Sequence, residues 1–422
     1  MAEFHVIKLK YIKLNLFHKE ISSKIGEKEM KKTVKDFDLK GKKVIVRCDL
    51  NVPMDGNVIT DDTRIRESLK TINYLIDNDC KVIILSHLGK VKTEEDKKNN
   101  SLLSVSVRLG ELLGKVVYFS RETRGSELEK LVNNLGDGDV LLIENTRYED
   151  VDGKKESSCD MELAKYWAGL GEIFINDAYG TCHRKHASNV GIASILPNGI
   201  GFLVEKEINN ISNVINEDTH PYVVVMGGKK ITDKIPIIRN LITKCDYLLI
   251  GGGMSYTFLT ALGYNVGNSI VDVDNIDFCK EMLDKYSDKI VLPVDFIASL
   301  DIDSTDTVVR ELGNIGEEES CFDIGPKTRE KYCDILKNAK RVIINGPVGV
   351  FEKEVFCEGT KSVYSCLVEN NVKTLIGGGD SASSVNNLGF KDKFYHISTG
   401  GGATLEFLSG NVLPGIDVIN DK

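Results

Sequence analysis

Residues 341–352 read RVIINGPVGVFE, in which the β-branched run Arg341–Ile344 passes through Asn345 into Gly346-Pro347-Val348-Gly349. A short apolar run that ends in glycine reads as a buried strand followed by a turn whose bare backbone makes the contacts. The same figure recurs through the second half of the chain. Tyr222–Met226 runs into Gly227-Gly228, Tyr247–Ile250 into Gly251-Gly252-Gly253, and Lys373–Ile376 into Gly377-Gly378-Gly379, while Phe394–Ile397 leads to Gly400-Gly401-Gly402. Amphipathic stretches separate these runs, the signature of βα units and a parallel sheet. Strands of the first half (Lys43–Val46, Lys81–Leu85, Val140–Ile143, Ile173–Ile175) end differently. They pass into Arg47-Cys48-Asp49-Leu50-Asn51, Ser86-His87-Leu88-Gly89-Lys90, Glu144-Asn145-Thr146-Arg147 and Asn176 through His186.

Open α/β sheets bind ligands beyond the carboxyl ends of their strands. The pattern therefore predicts two α/β domains with different ligands, one presenting a basic crescent and the other backbone. Between them, Glu205–Asn216 is polar, lacks Gly and Pro, and reads as a joining helix. Val91–Asn100 reads as a charged, solvated loop. The chain has 422 residues, which fits two to three domains at about 150 residues each. Lys and Arg total 54 against 63 Asp and Glu, a net charge of −9 that argues against a general nucleic-acid or anionic-membrane binder. No run approaches the ~20 apolar residues of a membrane span. The ten cysteines form no CxxC pair, and they are expected to be reduced, mostly buried, cytoplasmic thiols. Residues 1–30 carry six Lys, four Glu and no Arg, with apolar residues at loosely helical spacing. They lack the features of a secretory signal or a mitochondrial presequence. They read as an appendage without chemistry, or as an upstream start with Met30 as a second initiator.

Repeated strand-end glycines suit a phosphorylated nucleotide, because backbone and helix N-termini can approach its phosphates. Gly228-Lys229-Lys230 lacks the upstream glycine and the hydroxyl of a Walker P-loop. Gly377 through Ala382 fits GxGxxA, yet the next strand ends in Ser398-Thr399 rather than the acid a dinucleotide fold wants. The first half calls for an acidic ligand: Arg64, His87, Lys90, Arg147, His183 and Arg184 fall near strand ends, with Asp49 and Asn51 as hydroxyl partners. His183 and His186 have no third ligand motif nearby for a metal. There is no GxSxG elbow and no HExxH. An anion domain opposite a nucleotide domain, without nucleophile or base, points to phosphoryl transfer by positioning and charge neutralisation.

At this point the chain resembles the phosphoglycerate kinase family. The resemblance rests on seven motifs in order: residues 46–53, 86–89, 176–184, 227–234, 345–352, 377–380 and 398–403. It implies two Rossmann-like, three-layer αβα domains joined by a hinge helix across a central cleft. The expected division is residues 1–32 as an extension, 33–203 as the phosphoglycerate domain with 405–422 returning to it, 204–218 as the hinge, and 219–404 as the nucleotide domain. The implied reaction is reversible transfer from 1,3-bisphosphoglycerate to Mg-ADP, giving 3-phosphoglycerate and ATP, in a cytoplasmic monomer without nucleic-acid or membrane partners. By the same resemblance Asp49, Asn51, Arg64, His87, Lys90, Arg147 and Arg184 hold the phosphoglycerate. Gly228, Lys230, Lys234, Gly253, Asn345, Pro347, Gly349, Val350, Glu352, Gly378, Gly379, Asp380 and Ser381 hold the nucleotide, and Asp380 faces Mg2+. Arg64, Lys230 and the helix N-termini at Gly379 and Gly402 are the candidates for stabilising the moving phosphoryl group. Three positions depart from the family's usual residues: Lys90 for Arg, Lys229 for a small residue, and Cys321 for Gly near the expected adenine pocket; Ser381 for Thr keeps its hydroxyl. Rival readings are a catalytically silent scaffold of the same fold and, on the GxGxxA match alone, a nicotinamide-dependent dehydrogenase. Only 12 of the 54 basic residues are Arg, and Arg47, Arg64, Arg147 and Arg184 fall at or near strand ends.

Overall fold

A computed structural model describes residues 30–422; the readings made for residues 1–29 lie outside them. Two six-stranded parallel sheets organise the molecule. In the first the order is Val117–Ser120, Val140–Ile143, Lys81–Leu85, Lys43–Cys48, Ile173–Asp177, Asn198–Ile200. In the second it is Ile290–Val291, Tyr247–Ile250, Tyr222–Met226, Arg341–Asn345, Lys373–Gly377, His396–Ile397. The central strands are buried along almost their whole length, so they read as continuous apolar runs rather than alternating ones. Helices cover both faces of each sheet. Ile65, Ile72 and Leu75 of Thr63–Asp77 pack on one face of the first sheet, while Trp167 of Met161–Ala168 packs on the other.

Several expectations need correction. A third, antiparallel sheet of Asp295–Ser299, Val308–Glu311 and Ser320–Ile324 flanks the second half. Its strands are short and partly exposed, so they lack the apolar runs that marked the others. Val91–Asn100 is not a plain loop: Glu94–Asn99 forms a helix, started by Thr93, whose hydroxyl accepts from the Asp96 N–H while the Asp96 carboxylate accepts from the Thr93 N–H. The cysteines are not all reduced. Cys333 on Pro326–Leu336 and Cys366 on Glu358–Glu369 form a disulfide, because these helices pack side by side and bring the two Cα atoms to 5.9 Å. The other eight are free, and six of them are buried.

The joining helix is Phe202–Asn216 and begins three residues before the predicted start at Glu205. The early start has a chemical cause. Asp177, the last residue of its strand, accepts hydrogen bonds from the Leu203 and Val204 N–H groups at 2.8 and 3.3 Å. At the other end Arg341 donates to the carbonyls of Val214 and Thr219. An acid at the N-terminus and a cation at the C-terminus both oppose the helix dipole. Midway along, Glu207 is fully buried and accepts from His396 Nε2 (2.7 Å), Thr399 N (2.9 Å) and Thr399 Oγ1 (3.0 Å).

The last residues return to the first sheet. Lys32 N–H donates to the Asn420 carbonyl, Asn420 N–H to Asn198 Oδ1, and Asn176 Nδ2 to the Gly415 carbonyl, each at 2.8 Å. Glu207→Ala removes the only acceptor that these atoms of His396 and Thr399 have among the described residues. It is expected to lower stability by about 3 kcal/mol, the usual cost of breaking a buried charged network. Urea unfolding checks this, and a change below about 1 kcal/mol would mean that the network is not a structural tie.

Candidate functional site

Carboxyl ends of the first sheet's strands gather the crescent. Arg64 Nη1 donates to Asp49 Oδ2 at 2.7 Å, and Asp49 Oδ1 is buried with no partner among the described residues. Asn51 Oδ1 accepts from the Gly89 N–H at 2.8 Å, which leaves its amide NH2 for a ligand. Arg147 Nη1 donates to Asp150 Oδ2 at 2.8 Å, and its buried Nε has no partner. Lys90, Arg147 and Arg184 line a cavity of 620 Å³, joined by Lys92 and Lys154, which the sequence reading did not single out. His87 is buried, and its pKa is held well below the ordinary imidazole value by loss of solvent and by the guanidinium groups of Arg47, Arg147, Arg64 and Arg184. It is therefore neutral at pH 7. Desolvation also lowers the pKa of His183, which adds no fixed charge to the crescent.

The nucleotide half is built from backbone. A Cβ on Gly227 would lie 2.0 Å from the Pro347 carbonyl oxygen, and one on Gly346 would lie 2.1 Å from that of Gly227. Only glycine lets these two strand-end loops touch. Gly346 N–H donates to Ser381 Oγ at 2.7 Å, so the Ser381 hydroxyl fixes the loop. Lys234 is half-buried and donates to Asn345 Oδ1, and burial holds its pKa below the usual ammonium value. Lys229 and Lys230 are exposed. Gly228, Lys230, Lys234, Gly378, Gly379, Asp380, Ser381 and Gly402 share a 750 Å³ cavity with His183 of the other half. A second cavity of 610 Å³ is lined by Gly253, Pro347, Gly349, Val350 and Glu352. Tyr256, Ile302, Cys321 and Phe322 complete it, giving an apolar slot suited to a base. Asp380 lines both cavities, where the glycine cradle meets the apolar slot.

Asp380 begins the helix Gly379–Asn387 and is exposed. Among the described residues no group of three His, Cys, Asp or Glu side chains could hold a metal. A lone carboxylate beside a phosphate cradle fits an ion whose other ligands are phosphate oxygens and water. The halves approach closely here: a Cβ on Gly402 would lie 3.0 Å from His183 Nε2, and within the first half Arg184 Nε donates to the same nitrogen at 3.1 Å. What sequence reasoning missed is the support beneath. Asp177 lay inside a recognised motif without an assigned role, and Glu207 looked like any polar residue of a linking helix.

An anion crescent facing a nucleotide cradle across one cleft is the architecture of a phosphotransferase. The family model for phosphoglycerate kinase matches residues 34–411. A phosphoglycerate kinase of Enterococcus faecalis is 54% identical over 396 residues, covering 93% of this chain and all of that protein. One of Listeria monocytogenes is 52% identical over 395 residues with the same coverage. The solved phosphoglycerate kinases of Coxiella burnetii and Pyrococcus horikoshii superpose with TM-scores of 0.84 and 0.79 at 33% and 32% identity, each over 92% of this chain and 98% of theirs. This chain belongs to the phosphoglycerate kinase family. It is a phosphotransferase whose acceptor is a carboxyl group. That finding favours the catalytic reading over the silent scaffold and the dehydrogenase.

Asp323, at the back of the nucleotide loops, accepts from the Gly359 N–H at 2.6 Å and the Ile324 N–H at 2.9 Å, and burial pushes its pKa up to about 7. Its unfolded value is near 4, so between those values the native state binds a proton that the unfolded chain does not. The contribution of Asp323 to stability therefore falls as pH rises from about 4 to about 7. In Asp323→Asn that fall is absent. The unfolding free energy of the variant relative to wild type is expected to improve by about 1–2 kcal/mol between about pH 4.5 and pH 6.5. Denaturant titrations at the two pH values check the sign.

Proposed function

We propose that the crescent and the cradle hold 3-phosphoglycerate and Mg-nucleotide in line across the cleft, with the residue roles that follow. The carrying observation is the pairing of five cations around one 620 Å³ cavity with a glycine-built cradle opposite. Arg147, Arg184 and Lys90 bind the phosphate of the glycerate. Asp49 Oδ1 accepts from its hydroxyl, the Asn51 amide donates to its oxygens, and Arg64 reaches its carboxyl end. Lys230, Lys234 and the N–H groups at Gly378–Gly379 receive the nucleotide phosphates, while Val350 and Glu352 border the base and ribose. Asp380 would hold Mg2+ that arrives with the nucleotide, and the bound ion would neutralise phosphate charge.

The chemistry needs no general base. In one direction a terminal phosphate oxygen of ADP attacks the acyl phosphate: its bond to phosphorus forms as the bond to the carboxyl oxygen breaks. In the other the glycerate carboxylate attacks the γ-phosphorus of ATP. Both nucleophiles are already ionised at neutral pH. What the protein supplies is alignment and charge, from Arg64 on one side and Lys230 with the helix beginning at Gly379 on the other. The helix beginning at Gly402 is seven residues long and adds its N–H groups where the halves meet. Closure about Phe202–Asn216 would complete the site. We read the protein as a cytoplasmic monomer acting in glycolysis on small molecules alone. Its net charge of −9 supports the exclusion of nucleic-acid and membrane partners, and among the described residues no helix is long and apolar enough to cross a membrane.

A coupled assay of ATP formation from 1,3-bisphosphoglycerate tests the reading. Arg64→Ala and Lys230→Ala are each expected to cut kcat by about two to three orders of magnitude, with unchanged circular dichroism. Near-wild-type turnover from either would remove that residue from its role. Lys90→Arg restores a planar fork and is expected to lower KM for 3-phosphoglycerate by roughly fivefold, leaving KM for ATP unchanged. Unchanged KM for both would place Lys90 outside the phosphate site.

A further inference from the structure

Beneath the crescent, Arg47, Glu156 and Ser188 form a buried polar chain that leads to His87 and has no binding role of its own. Arg47, at the end of the central strand, is 1% exposed, and Glu156 and Ser188 are fully buried. Glu156 Oε1 accepts from Ser188 Oγ at 2.5 Å, and Glu156 Oε2 accepts from the Ser188 N–H at 2.9 Å. Arg47 Nε donates to Ser188 Oγ at 2.9 Å, Arg47 Nη1 donates to the Cys48 carbonyl, and Arg47 Nη2 lies 3.1 Å from His87 Nδ1. A guanidinium can only donate, so His87 Nδ1 must be the acceptor and the ring proton sits on Nε2. The ring contact of His87 among the described residues is the one at Nδ1, which leaves Nε2–H for a ligand.

We propose that Glu156 and Ser188 are positioning residues that, through Arg47, lock His87 as a neutral Nε2–H donor to the acidic ligand. The charges agree with this. Arg47 has lost nearly all solvent, and Glu156 is the charge that most opposes the resulting fall in its pKa; burial raises the Glu156 pKa while Arg47 opposes that rise. Four guanidinium groups and burial keep His87 from taking a second proton. Ser188 is the geometric link, since its hydroxyl receives Arg47 and donates to Glu156. Without it the guanidinium loses the contact that fixes its plane. His87 can then turn or exchange tautomer, presenting an acceptor where the ligand needs a donor.

The inference rests on the proposed glycerate site, and two measurements separate them. In 15N-histidine-labelled, ligand-free wild-type enzyme, the His87 resonances (assigned by their loss in His87→Gln) should show protonated Nε2 and unprotonated Nδ1. A protonated Nδ1 would overturn the proposal whatever the ligand. Ser188→Ala should give mixed tautomers at His87 and raise KM for 3-phosphoglycerate roughly tenfold, the value of one charged hydrogen bond, with KM for ATP within twofold of wild type. Ser188→Thr, which keeps the hydroxyl, should restore both readouts. A Ser188→Ala enzyme with wild-type tautomer and KM, or with both KM values raised alike, would reduce Ser188 to packing. If Ser188→Ala fails to fold, the wild-type tautomer and Ser188→Thr decide. If His87→Gln leaves KM for 3-phosphoglycerate unchanged, the glycerate assignment fails while the tautomer result still judges the relay.

Discussion

A helix with three charged ties sets the relation of the two sheets. Phe202–Asn216 receives Asp177 from the first sheet at its N-terminus and Arg341 from the second at its C-terminus, and Glu207 reaches back to His396 and Thr399. Each tie is buried or nearly so, where unmade hydrogen bonds are costly, so the helix cannot slide against either sheet without breaking one. Thr399 immediately precedes Gly400-Gly401-Gly402, and a Cβ on Gly400 would lie 2.2 Å from the Tyr179 ring in the first half. A movement of the helix is thus delivered to the loop where the halves meet. The joining helix and that loop are held as one unit.

Charge is distributed by the same economy. The surface is acidic in sum, yet the arginines at strand ends are partly or wholly removed from water. Arg47 could not be exchanged for lysine: a buried ammonium surrenders its proton readily, whereas a guanidinium stays charged and directs its donors in a plane. Lys230 meets the opposite requirement. It stands exposed, and a flexible point charge suits the role proposed for it beside a phosphate that changes owner.

Much of this was legible in the sequence, and the illegible parts share a cause. Nine strands were readable because a strand covered on both faces must be apolar throughout, and their glycine or basic endings marked the two ligand types. Val117–Ser120, Asn198–Ile200 and Ile290–Val291 were missed because edge strands of two to four residues carry little apolar signal. The antiparallel sheet was missed because its strands mix Asp, Ser, Arg and Glu with apolar residues and so show no continuous apolar run. Glu207, Glu156 and Ser188 were invisible for a deeper reason: each acts through partners 32 to 192 residues away, and nothing local distinguishes a buried acid from a solvated one. The Cys333–Cys366 pair likewise depends on two helices meeting.

Arg64 shows what preorganisation means in this cleft. Its ion pair with Asp49 engages one guanidinium nitrogen and leaves the remaining donors free. The same pair leaves Asp49 Oδ1 unfilled, so in the proposed site one interaction presents a donor set and an acceptor side by side. Neither group needs to leave its partner when ligand binds. The ordering cost is met on folding, and binding energy remains for closure. An isolated arginine in the same place would have to be immobilised by the substrate itself. The carboxylate that looks like a competitor for Arg64 is what makes the arginine ready.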